Sequence, residues 1–80
     1  MAKYRVKAFG ITKDILGSRE NILEAELHTV GEMRQFLITR YPQLAGLRSL
    51  FIAVNSDYAD DSTVLREADE IALIPPVSGG

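Results

Sequence analysis

Thr29-Val30-Gly31-Glu32-Met33-Arg34-Gln35-Phe36-Leu37-Ile38-Thr39-Arg40-Tyr41-Pro42 is the stretch around which the rest of this chain must be arranged. Thr29 and Glu32 have the spacing of a capping box, in which the threonine hydroxyl and the glutamate carboxylate each satisfy a backbone N–H that the first helical turn leaves unpaired. Behind it Val30, Met33, Leu37 and Tyr41 recur at helical spacing, forming the apolar stripe of a helix with one face to bury. Pro42 ends the helix, because its ring disfavours helical geometry at the residue before it.

Working outward, both flanks read as strands. Tyr4, Val6 and Ala8 alternate with Lys3, Arg5 and Lys7, the two-residue period of a half-buried strand. Gly10 breaks this pattern, and Thr12 to Gly17 leaves room for a helical turn. Leu23, Ala25 and Leu27 alternate with Glu24 and Glu26, which predicts a second strand over 22–27, antiparallel to the first. Beyond a loop at 43–49, Leu50-Phe51-Ile52-Ala53-Val54 is an apolar run of strand length. Asn55-Ser56-Asp57 reads as a turn, since Asn and Asp mimic a backbone turn and tolerate left-handed geometry. A short strand is expected near Thr63-Val64-Leu65 and a last one at Ile71-Ala72-Leu73-Ile74. One helix among such strands predicts a two-layer α+β domain, a mixed sheet with the helix packed across one face. The helix is long enough for the chain to cross over and return parallel to an earlier strand.

Composition narrows the function. With 80 residues the chain has room for one core, and it holds no cysteine for a disulfide, thiolate metal site or nucleophile. The start lacks an apolar signal core, and no run approaches the roughly 18 apolar residues that span a bilayer. A soluble, cytoplasmic protein without a membrane partner is therefore expected. A net charge of −2 argues against nucleic acid, because no basic stripe is present to displace counterions.

The body carries no recognisable catalytic constellation. His28 is the sole histidine and falls in the strand-to-helix turn, where a structural role is the simpler reading. Asp57, Asp60 and Asp61 lack the ligand spacing of a calcium loop and read as a solvated turn. Gly10 and Gly17 lack the spacing and lysine of a phosphate loop. The serines share one candidate histidine base, so serine nucleophilic catalysis is not expected.

The end differs. Pro75-Pro76-Val77-Ser78-Gly79-Gly80 follows the last strand directly, giving a domain over 1–74 and a tail over 75–80. The prolines hold φ near about −65° and favour an extended course. Six extended residues reach at most about 20–22 Å, enough to enter another protein's pocket. Gly79 and Gly80 lack Cβ, so a narrow channel can admit them and groups can approach their carbonyls. A terminal carboxyl with pKa about 3.3–3.7 is an anion at neutral pH and a poor electrophile, so chemistry there requires activation by a partner. A frayed end or a cloning remnant is the plain alternative.

The stretch Asp69 to Gly80, ending Pro-Pro-Val-Ser-Gly-Gly, resembles the C-terminus of the MoaD/ThiS family, the sulfur carriers that include the molybdopterin synthase small subunits. Phe9 to Gly17, Thr29-Val30 and Ile52-Ala53-Val54-Asn55 also match. Two positions depart: Lys13-Asp14 stands where the family often has Arg-Glu, and Ala68 where it commonly has glycine. The second suggests a slightly different turn.

The resemblance implies a ubiquitin-like β-grasp fold and a chain that is no enzyme on its own. It implies that an E1-like adenylyltransferase uses ATP to place AMP transiently on Gly80, and that a sulfur donor protein converts this adenylate to a thiocarboxylate. A large catalytic subunit then receives the tail, with Pro75, Pro76, Val77 and Ser78 lining the channel and Gly79 allowing access. Sulfur passes there to cyclic pyranopterin monophosphate in molybdenum cofactor biosynthesis. No permanently bound cofactor or metal is implied. Phe9 lies opposite the Tyr4, Val6 and Ala8 face, either in an exposed patch that docks the partner or simply packed at an edge. The alternatives are a carrier for thiazole synthesis, a ubiquitin-like modifier, or an interaction module that ignores its tail.

Overall fold

β1 (Ala2–Ala8) and β2 (Glu20–Ala25) form the antiparallel pair that the alternation predicts, with Tyr4 opposite Leu23 and Ala2 opposite Ala25. The structure, a computed structural model, describes residues 2–47 and 49–76. β2 begins two residues before the expected start and releases the chain before Leu27, whose carbonyl instead accepts the Tyr4 hydroxyl. Between the strands lies α1 (Ile11–Leu16), where the sequence leaves room for a helical turn.

α2 (Val30–Arg40) follows from its caps and its stripe. The Glu32 N–H donates to Thr29 Oγ1 at 3.2 Å, while the Glu32 carboxylate accepts from the His28 N–H at 2.7 Å. The reciprocal bond thus reaches one residue beyond the cap. Val30, Met33 and Leu37 are fully buried, and Tyr41 packs half-buried against the same cluster. Each such burial contributes roughly 1.5–3 kcal/mol relative to exposure. Pro42–Gly46 continues as a 3-10 turn that buries Leu44.

The sheet is completed by β3 (Phe51–Val54), β4 (Asp57–Ala59) and β5 (Glu70–Ile74), in the order β2-β1-β5-β3-β4. β5 runs parallel to β1 and antiparallel to β3. β3 therefore runs in the same direction as β2, and α2 carries the chain across one face between these two. Val6, Ala8, Ile52, Ile71 and Leu73 meet α2 on that covered face, and all are essentially solvent-free.

One expected element is displaced. The short strand lies at Asp57–Ala59, and Val64 makes only an isolated bridge to Thr29. Asn55 and Ser56 carry φ of 53° and 73°, the positive pair required by the tightest hairpin turns. β3 consequently doubles back at once, and Asp57 enters the strand rather than the turn. Asp60 then closes an Asx turn by accepting from the Ser62 N–H and hydroxyl. The chain from 61 to 65 lies across the start of α2 instead of joining the sheet, since the Gly31 and Val30 N–H groups donate to the carbonyls of Asp61 and Thr63. Gly31 permits this approach: a Cβ there would stand 3.2 Å from the Asp61 carbonyl oxygen. The turn at Ala68 closes without a positive φ, through Asp69 N–H to Arg66 carbonyl and Arg66 N–H to Asp69 carboxylate.

Candidate functional site

The face of the sheet opposite α2 divides into two parts. β1 presents Lys3, Arg5 and Lys7 there, β2 presents Glu20, Ile22 and Glu24, and β5 presents Glu70, Ala72 and Ile74. β3 and β4 add Phe51, Ala53 and Tyr58, because Phe51 stands opposite Ile74, and Ala53 opposite both Ala72 and Tyr58.

At the end where β5 finishes, this face is apolar. Phe9 is 41% exposed, Phe51 52% and Tyr58 72%, values far above those of the covered-face core. Phe9, Ala53, Tyr58, Ala72 and Ile74 line a groove rimmed by Lys7, Glu70 and Ser56. The Phe51 and Tyr58 rings lie 5.5 Å apart at 53°, a tilted pairing that holds both in place without removing them from solvent. Phe9 therefore belongs to a patch and not to a packed edge. An exposed apolar groove of this kind is the first place to seek a partner interface.

The rest of the face is charged, starting at the rim of this groove. Lys7 Nζ lies 2.5 Å from Glu70 Oε1, and Lys3 Nζ lies 3.7 Å from Glu24 Oε1. The hydrogen bond from Lys7 and then its charge, with a smaller contribution from Arg5, hold the Glu70 carboxyl below its ordinary value. Asp60, in the turn after β4, is also lowered, chiefly by its bonds from Ser62 and Thr63.

The residues expected to act lie at and beyond the end of β5. Pro75 and Pro76 follow Ile74 directly and are half-buried, with Pro75 lying against Gly10. Val77, Ser78, Gly79 and Gly80 lie outside the described residues. His28 sits in the turn before α2 and is exposed. Among the described residues no cluster of histidine and carboxylates could hold a metal ion, and no helix is long and apolar enough to cross a membrane.

Residues 6–80 match the model of the ThiS family. The chain belongs to the ThiS family. A molybdopterin synthase sulfur carrier subunit from Caenorhabditis briggsae is 34% identical over 84 residues, covering 100% of both chains. Among solved structures, SAMP1 from Haloferax volcanii shares the fold with a TM-score of 0.79 at 26% identity, over 98% of this chain and 99% of that one. A chain in the complex of subunits 1 and 2 of the molybdopterin-converting factor from Helicobacter pylori matches with a TM-score of 0.68 at 29% identity, over 98% of this chain and 99% of its own length. The ubiquitin-like β-grasp fold implied by the sequence resemblance is the fold observed.

Within this ThiS-family chain, sequence reasoning picks out Phe9 but misses Phe51, Tyr58 and Ile74. Phe51 is hidden in a continuous apolar run that carries no sign of which face each residue takes. Tyr58 is hidden because β4 lies earlier in the chain than expected. The signal that was available is the alternation Glu70, Ala72, Ile74, which places an isoleucine on the same side as a glutamate.

Proposed function

We propose that this chain is the sulfur-carrier subunit of molybdopterin synthase and that its reacting atom is the carboxyl carbon of Gly80. The observation that carries the reading is the junction of Pro75-Pro76 with a β-grasp body whose open face is apolar just beside that junction. The names borne by full-length relatives agree with it.

The chemistry runs through partners. An E1-like adenylyltransferase joins the Gly80 carboxylate to AMP from ATP, releasing pyrophosphate and leaving an acyl carbon open to attack. Sulfide-level sulfur released by a donor protein attacks that carbon, the bond to AMP breaks, AMP leaves, and the product is a thiocarboxylate. The large synthase subunit takes up the tail, the thiocarboxylate sulfur bonds to cyclic pyranopterin monophosphate, and water cleaves the acyl–sulfur bond so that Gly80 returns to a carboxylate. Gly79 to Pro75 supply a slim stalk, whose ordering the two prolines make less costly because they are already restricted before insertion. The patch around Phe9, Phe51 and Tyr58 docks the body while the tail is engaged. ATP is a substrate of the partner, and the chain retains no cofactor.

Intact mass spectrometry of the chain after incubation with the adenylyltransferase, ATP and the sulfur donor tests this. The expected result is the mass gain of one oxygen replaced by sulfur, confined to the last residue, and its loss when the large subunit and the pterin are added. A chain that never acquires sulfur would refute the reading. The likeness to small archaeal modifier proteins favours a second reading, attachment of Gly80 to a lysine of another protein. A branched peptide ending in Gly79-Gly80 would identify it.

A further inference from the structure

We propose that Gly10 is a positioning residue for the tail: the ring of Pro75 seats on the side of Gly10 where other residues carry Cβ, and this seat sets the angle at which the chain leaves the sheet. The proposal rests on the sulfur-carrier reading and adds to it the element that aims the tail.

Three observations support it. Gly10 has φ 56° and ψ −133°, a combination that an L side chain rarely adopts. A Cβ on Gly10 would lie 3.1 Å from Pro75 Cγ, so the two residues occupy adjoining space and an added methyl would press the ring aside by a few tenths of an ångström. The turn that carries Gly10 is itself pinned. Thr12 is fully buried, its hydroxyl donates to the Phe9 carbonyl, and its oxygen accepts the Phe9 N–H at 2.9 Å. The N–H groups of Thr12 and Lys13 donate to the carbonyls of Phe9 and Gly10, both at 3.1 Å.

The position of the seat gives it consequence. β1 and β5 last pair at Ala8 and Leu73, and proline has no N–H with which to prolong a ladder. Beyond that rung, Gly10 supplies a fixed contact for the departing chain. The neighbouring residue, Phe9, faces the docking groove. One rigid two-residue turn thus touches both the tail root and the patch, so a partner held on the patch meets the tail at a set angle. A misplacement of about 1 Å at a reacting centre can cost on the order of a hundred-fold in rate.

A double-mutant cycle with one synthetic variant tests the seat. Single-turnover thiocarboxylate formation and the Kd for the adenylyltransferase are measured for the native chain, Gly10→Ala, Pro75→Ala, the double variant, and a chemically synthesised chain with D-alanine at position 10. D-Alanine accepts this φ and ψ as an ordinary extended pair and directs its methyl to the other side of Cα.

Gly10→Ala and Pro75→Ala should each slow the single turnover by about ten- to a hundred-fold with little change in Kd. The double variant should be no slower than the slower single, and D-alanine should restore the native rate. Native speed in Pro75→Ala, losses that multiply in the double variant, or a D-alanine chain as slow as the L-alanine one would each overturn the seat. If Gly10→Ala fails to fold, the Pro75→Ala and D-alanine arms still decide. Failure of the native chain itself to acquire sulfur would instead sink the underlying reading.

Discussion

The two faces of the sheet use the same strands for opposite ends. On the covered face Val6, Ile71 and Leu73 meet Met33 and Leu37 of α2 with no exposure. On the open face Phe9, Phe51 and Tyr58 keep between two fifths and three quarters of their surface in water beside the root of the tail. Apolar residues on the first face hold the domain together, and those on the second contribute little to it. The difference teaches that hydrophobicity in this chain does not by itself report burial, which only the side of the sheet decides.

Truncation should split the faces most sharply. Leu37→Ala removes a fully buried side chain and should destabilise the domain by about 2–5 kcal/mol, read by urea unfolding. Tyr58→Ala should change stability by less than about 1 kcal/mol, because little packing is lost, and Phe9→Ala, whose ring is more than half covered, by more than Tyr58→Ala but less than Leu37→Ala. Phe9→Ala and Tyr58→Ala should each weaken binding to the large synthase subunit by about ten-fold or more, read by calorimetry, if the patch is the docking surface. Unchanged affinity would show that the partner uses another surface. A Leu37→Ala chain that still folds should in turn bind normally, which would sharpen the separation.

A smaller effect is expected where the covered face is framed. Thr29→Ala leaves the Glu32 N–H without its side-chain partner and should cost about 1 kcal/mol, with Thr29→Ser recovering most of it.

The smallest effect lies in the charged part of the open face. Glu70 titrates below its ordinary value because Lys7 favours its ionised form. That contribution is fully present above the unfolded-state carboxylate pKa and is lost as pH falls through the lower folded value. Lys7→Gln should return the Glu70 titration toward its ordinary value in an NMR pH series, and salt should do the same in part, since the pair is half-exposed. A Glu70 titration that ignores both changes would show that the pair does not form in solution.

Much of this could be read before folding. The capping box and the Val30, Met33 and Leu37 stripe specify α2, because caps and periodicity are local. The alternation in β1 and β2 separates inward from outward residues in the same way. Leu50 to Val54 does not alternate, and its faces became clear only from register, with Ile52 opposite Leu73 and Ala53 opposite Ala72. The place of β4 was misread because Asp57 resembles a turn residue, whereas positive φ at both Asn55 and Ser56 closes the turn before it.

By itself, the sequence determined the main helix α2, the period of β1 and β2 and the composition of the tail, since each depends on neighbours a few residues apart. Only the tertiary structure decided that Phe9, Phe51, Tyr58 and Ile74 share one side of the sheet, and that Pro75 rests on Gly10. Those contacts join residues far apart along the chain, and strand order and register, which no local pattern encodes, bring them together.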